Sequence, residues 1–170
     1  MSDSNYIRKT QTSVTCFLHC GDEYLFLHRH PGKRIDPDCL NGIGGRVERA
    51  ENYLDAAVRE TQEETGYIVT HNDVEFAGVL KVEGGYEEEW VVAMFKIKVD
   101  SKNIPIGTKT EDGELKWFHK DKVLNSGHAL VDDLHYLFEE IVKSESIFFA
   151  NEQLDEKLKV VSMSISRLPK

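Results

Sequence analysis

The chain has 170 residues, 30 acidic against 21 basic, for a formal charge of −9. That balance excludes a protein held on nucleic acid by a broad basic face, because such binding releases counterions through clustered Lys and Arg. Apolar residues at 40% and charged residues at 30% are those of an ordinary globular chain, and the length predicts one domain over 1–170.

The leading stretch MSDSNYIRKTQTS is polar and lacks the apolar core of a signal peptide, and runs such as VVAMF are too short to span a bilayer. No membrane association is expected. VTCFLHCGDEYLFLHRH predicts a hairpin, with strands Val14 to His19 and Tyr24 to Arg29 joined at Gly21-Asp22. The next segment, PGKRIDPDCLNGIGGRVERAE, has the Pro and Gly content of a long loop, and long loops in compact domains are often functional. The three cysteines, Cys16, Cys20 and Cys39, include no CxxC pair. They fit reduced packing residues in a cytoplasmic protein.

From Asn52, a capping residue, a helix is predicted as far as Gly66, with Leu54, Ala57, Val58 and Thr61 on one face. Strands Glu75 to Val82 and Trp90 to Val99 follow, separated by EGGYEEE, and then a short strand Glu114 to His119. Leu130, Leu134, Leu137, Phe138 and Ile141 mark a helix over 130–143. The tail reads as two strands, although DEKLKVV also has a helical reading.

The first helix carries an electrostatic anomaly. Glu60, Glu63 and Glu64 stand three and four residues apart, where like charges cost roughly 0.2–0.5 kcal/mol per pair. Glu63 and Glu64 also fall in the last turn, where the helix dipole disfavours anions. Carboxylates crowded in this way call for a divalent cation, and Mg²⁺ prefers a few hard oxygen ligands while retaining water.

The wider segment GRVERAENYLDAAVRETQEETGY has Gly45, five residues, Glu51, seven residues, then RETQEETGY from Arg59 to Tyr67. This resembles the Nudix box, GX5EX7REUXEEXGU, with every fixed Gly, Arg and Glu present and Thr61 and Tyr67 at the two bulky apolar positions. The resemblance implies an α/β (α+β) fold, a mixed sheet sandwiched between α-helices, with the core of the domain over about 14–165. It also implies a hydrolase that cleaves a diphosphate-containing substrate with Mg²⁺, or with Mn²⁺ as an alternative. By the same resemblance, the Gly44 carbonyl, Glu60, Glu63 and Glu64 would bind the metal, and Glu60 would activate water. Arg59 would orient the carboxylates, and Glu51 would support the loop-helix junction or reach a metal through water. A further acidic residue before a tryptophan often completes the site in this family; TEDGELKWF offers Glu111, Asp112 and Glu114, of which Glu111 is favoured by its distance from Trp117.

NGIGGRV and VDDLHYLF resemble the Nudix subgroup that hydrolyses oxidised purine nucleoside triphosphates such as 8-oxo-dGTP to the monophosphate and pyrophosphate. Asn41, Asp132 and Asp133 would then read the base edge, and Arg29 and Arg46, with Lys33 and Arg34, would flank the phosphates. Leu40 and Val131 stand where that subgroup commonly has aromatic residues to sandwich the base. Tyr86 and Trp90 are assigned to hairpin packing, and His28 and His30 lack a third ligand for a metal site. The implied partner is a small nucleotide, with the protein a monomer or homodimer. Three rivals stand beside this reading: hydrolysis of ADP-ribose or another nucleoside diphosphate derivative, an isomerase using Cys39, and a binding module without chemistry.

Overall fold

Alternating burial along the first strand decides the architecture. In the computed structural model, which describes residues 8–170, the strands are β1 (Thr10–Cys20), β2 (Glu23–Arg29), β3 (Cys39–Asn41), β4 (Val74–Gly84), β5 (Glu89–Lys98), β6 (Gly113–His119), β7 (Ala129–Leu130), β8 (Ser146–Leu154) and β9 (Val160–Pro169). The helices are α1 (Tyr53–Thr65) and α2 (Leu134–Lys143). β1 buries Val14, Cys16 and Leu18 on one face and Phe17 on the other, so both faces of the sheet must be covered. Ala56 and Ala57 of α1 share the first core, and Leu134, Leu137, Phe138 and Ile141 of α2 share the second. Phe138 meets the rings of Phe17, Tyr24 and Phe26 at 6.4, 5.4 and 5.5 Å, which locks α2 onto β1 and β2.

The sheet is mixed and splits where the site lies. β1 runs parallel to β5 from Thr10 to His19, but pairs with β2 only at the turn, through His19↔Tyr24 and Cys20↔Glu23. Beyond the turn β2 leaves β1 and pairs along its length with β6, and also with β3, which carries β7 on its far side. β4, β8 and β9 extend the sheet beyond β5. The free side of β1 is taken by the glycine-rich loop: Ile43 and Cys16 exchange backbone hydrogen bonds of 2.9 and 2.6 Å, and Val14 N–H donates to the Gly45 carbonyl at 2.9 Å. This draws the loop against β1 and beside α1.

Several predicted boundaries shift. The second helix starts at Leu134 rather than Leu130, because Ala129 and Leu130 pair with β3 and residues 131–133 make the turn between them. β1 begins at Thr10, since polar Thr10, Gln11 and Thr12 gain the β5 ladder. The tail forms two antiparallel strands, with DEKLKVV supplying the turn and the start of β9. Of the leader read as lacking a signal peptide, residues 1–7 lie outside the described residues. No helix among the described residues is long and apolar enough to cross a membrane.

Candidate active site

The helix that carries the acidic stripe is well terminated. Asn52 Oδ1 accepts the N–H groups of Leu54 and Asp55, each at 2.9 Å, and Gly66, at φ 77°, closes the other end by donating to the Gln62 carbonyl at 2.8 Å. Ala56, Ala57, Thr61 and Thr65 are buried, which turns Glu60, Glu63 and Glu64 along the edge of the packed face. Repulsion there is answered by Arg59. Its guanidinium donates to Glu51 at 2.8 and 2.9 Å, to Glu60 at 2.8 Å, to Glu63 at 3.1 Å and to the Arg46 carbonyl at 3.0 Å. The Arg59 hydrogen bonds hold the Glu51 carboxyl below its ordinary range. A lysine offers a point charge in place of this fork. Arg59→Lys is therefore expected to lower the unfolding free energy by about 1 kcal/mol in urea titration; an unchanged midpoint would mean the fork adds nothing to stability.

Glu64 stands outside that network. Its Oε2 accepts the Gly44 N–H at 3.2 Å, while burial, reinforced by the charges of Glu60 and Asp112, pushes its carboxyl up to about 7. Glu60 is only 8% exposed and lies against Gly45, where a Cβ would fall 2.4 Å from Glu60 Oε1. Only glycine admits that carboxylate. A cavity of about 860 Å³ is lined by Glu60, Glu63 and Glu64 and by Lys109, Thr110, Glu111 and Asp112. Asp112 is ion-paired with Lys33, and Glu114, which does not line the cavity, with Lys116 at 3.2 Å, which leaves Glu111 as the lining carboxylate of that segment outside these two ion pairs. Among the described residues no three His, Cys, Asp or Glu side chains already converge as a ligand cluster, since Glu60 and Glu63 turn to Arg59. The donors are hard oxygens on one cavity wall, the chemistry that fits a hard divalent cation completed by ligands from substrate and water.

Leu27 and Glu64 also line a second cavity of about 260 Å³. Its walls are aliphatic, from Leu80, Val82, Val92, Met94 and Val131, with Asn41, Asp36, Asp133, Glu152 and Tyr86 as polar groups. Asn41 Oδ1 accepts the Gly42 N–H at 2.8 Å, so its amide N–H groups remain to donate. Asp133 Oδ1 and Glu152 Oε2 are buried without a partner. Burial, then the Asp36 charge, raises Asp133 to about 7; burial, then the charges of Asp133, Asp132 and Asp36, raises Glu152 to about 8.

The predicted base readers thus separate. Asp133 lines the cavity, whereas Asp132 turns away to accept Val160 N–H at 2.8 Å and Lys159 Nζ at 3.2 Å, tying the β8–β9 turn to the start of α2. Arg29 and Arg46 both line the cavity; Arg29 Nε donates to the Ile35 carbonyl at 3.1 Å, and Arg46 lies 5.3 Å over the Trp90 ring. Trp90 and Tyr86, assigned to packing, line it as well. His28 pairs with Asp38 at 3.1 Å and meets the His128 ring edge to face at 4.8 Å. Sequence reasoning missed Glu152 and Asp36. For Glu152 the signal was legible: in SIFFANEQL the inward positions are Phe148, Ala150 and Glu152, a charge where the alternation demands an apolar residue.

The model of the NUDIX domain matches residues 9–138. The chain belongs to the Nudix family. It is a Nudix hydrolase, of a family that acts on acid anhydrides of nucleoside diphosphate derivatives, binds small nucleotide substrates and uses divalent metal ions. The chain is 27% identical over 129 residues to the uncharacterized Nudix hydrolase YvcI of Bacillus subtilis (strain 168), covering 71% of this chain and 77% of that one. The fold is similar to that of the MutT protein from Bacillus halodurans, with a TM-score of 0.78, 21% identity and coverage of 92% and 97% of the two chains. It is also similar to the MutT protein from Methanosarcina mazei Go1, with a TM-score of 0.68, 21% identity and coverage of 82% and 98%. The Nudix match ends inside α2, so β8 and β9, and Glu152 with them, lie beyond it.

Proposed function

We propose that this Nudix hydrolase, acting as a single domain, converts a nucleoside triphosphate to the monophosphate and pyrophosphate with Mg²⁺, and that its substrate is an oxidised purine nucleotide such as 8-oxo-dGTP. The observation that carries the reading is the pair of cavities meeting at Leu27 and Glu64: one walled by carboxylates, the other aliphatic with polar groups suited to a base. Glu60, Glu63, Glu64, the Gly44 carbonyl and Glu111 would hold the metal, for which Mn²⁺ could substitute. When bound, it polarises a phosphoryl group and lowers the pKa of an attacking water.

The remaining roles belong to the chain's own groups. Glu60 accepts the proton of the attacking water, and Arg59 fixes Glu60 while Glu51 fixes Arg59. Arg29 and Arg46 meet the phosphates from the cavity wall. Asn41 donates its amide N–H to an acceptor on the base, and Asp133, raised to about 7 by burial, is half-protonated near neutral pH and so able to donate to a purine carbonyl. A cytoplasmic setting, in which the enzyme clears damaged nucleotides from the pool, accords with three free cysteines. The isomerase rival loses its nucleophile: Cys39 Sγ donates to the Asp36 carbonyl at 3.1 Å, and burial pushes the thiol up to about 12.

The test is product analysis by ion-exchange chromatography after incubation with Mg²⁺ and 8-oxo-dGTP, dGTP, the other triphosphates or ADP-ribose. The expected result is preferential release of pyrophosphate and 8-oxo-dGMP. AMP release from ADP-ribose alone would transfer the site to a nucleoside diphosphate derivative, and no turnover of any substrate would leave a binding module.

A further inference from the structure

We propose that Glu152 is a specificity-determining residue, pairing with Asp133 to bind a guanine-type base edge, one that presents a carbonyl beside adjacent N–H donors. The inference rests on the nucleotide reading above and names the base that the aliphatic cavity takes. It begins from an uncompensated cost. Glu152 is 4% exposed, pairs with Val82 on the neighbouring strand, lines the cavity with Leu80, Val82 and Met94, and its Oε2 has no partner; a leucine there would pack without penalty. Asp133, from the turn before α2, brings a second buried and unpartnered carboxyl oxygen to the same cavity. Two such orphans on separate elements, aimed into one space, point to a ligand that satisfies both.

The kind of ligand follows from the proton count. The charges that act on Glu152 are those of Asp133, Asp132 and Asp36; the Tyr86 hydroxyl lies 3.4 Å from Asp36, and Arg29 and Arg46 are the cations on the same cavity wall. Neighbouring buried carboxyls share protons, so near neutrality the pair holds one neutral and one ionised member. The neutral acid donates one O–H, and the ionised one only accepts. Guanine matches this set: its carbonyl takes the O–H, and its ring N–H and exocyclic amine give to the carboxylate. Hypoxanthine lacks the amine, and adenine presents an acceptor where guanine has the ring N–H. Hypoxanthine therefore forms one hydrogen bond fewer, and adenine binds only with the proton on the other carboxyl and also forms one fewer. Because β8 lies outside the Nudix match, this reader is supplied by the C-terminal strands of this chain.

The test is equilibrium binding of GMP, IMP and AMP to the full chain in EDTA, by titration calorimetry, with Glu152→Leu and Glu152→Gln alongside. We expect GMP to bind about tenfold or more tightly than IMP and AMP. In Glu152→Leu that preference should collapse to within about threefold, and Glu152→Gln, which keeps an acceptor, should fall between. Equal binding of all three by the native chain, or a uniform loss across them in both variants, would overturn the assignment and make Glu152 a structural residue. Monophosphate binding in EDTA needs no catalysis, so a guanine preference without triphosphate hydrolysis would refute the proposed reaction and leave the base reader standing.

Discussion

Glu64→Gln is expected to lower kcat about 10³-fold at saturating Mg²⁺ and substrate while making the fold more stable. The two effects have one cause. Glu64 is a carboxylate pressed into a poorly solvated position beside Glu60 and Asp112, and burial works against its charge. Glutamine has the same length, and its carbonyl oxygen can still accept the Gly44 N–H now given to Oε2. What disappears is the charge, which the proposed reaction needs beside its metal and the fold alone does not. In EDTA the variant should therefore melt roughly 2–4 °C above the native chain, as a gain near 1 kcal/mol implies for this length. The readouts are kcat and a thermal melt. A melt that falls together with kcat would mark Glu64 as structural, and an unchanged kcat would remove it from the site.

The stripe holding Glu64 could be read from sequence because its information is local. Asn52 and Gly66 mark the ends of α1 by capping chemistry, and helical spacing alone places Glu60, Glu63 and Glu64 together. The hairpin was legible for the same reason. What lies between β1 and β2 was not: nothing in Tyr24 to Arg29 announces that the strand abandons β1 after two pairs and turns to β6. That departure admits the glycine-rich loop and opens both cavities. The aliphatic cavity draws on β3, the turn before α2, the β4–β5 hairpin and β8, so no single segment could disclose it. Asp132 and Asp133 make the point on the smallest scale. They are adjacent and chemically identical, and only the turn decides that one anchors the β8–β9 turn while the other faces the cavity.

Gly44→Ala is expected to damage the fold itself, by about 3 kcal/mol or more, beyond what any carboxylate change would do. An added Cβ would sit 2.0 Å from the Val14 carbonyl oxygen, 2.9 Å from its carbon and 3.1 Å from Thr15 Cα. These are backbone atoms of a central strand buried on both faces, and they cannot swing aside as a side chain can. The loop must leave β1, which strains the Cys16–Ile43 and Val14–Gly45 hydrogen bonds and withdraws the Gly44 N–H from Glu64. The neighbouring substitution separates fold from function. In Gly45→Ala the added Cβ meets the carboxylate of Glu60, the end of a side chain that can rotate at the cost of its bond to Arg59. Gly45→Ala should thus lose most of its turnover with a modest fall in melting temperature, whereas Gly44→Ala should lose roughly 6–12 °C. Melting curves of the two variants side by side decide it: a native-like melt for Gly44→Ala would show that the loop does not need its close approach to β1, and the positioning of Glu64 would then require another cause.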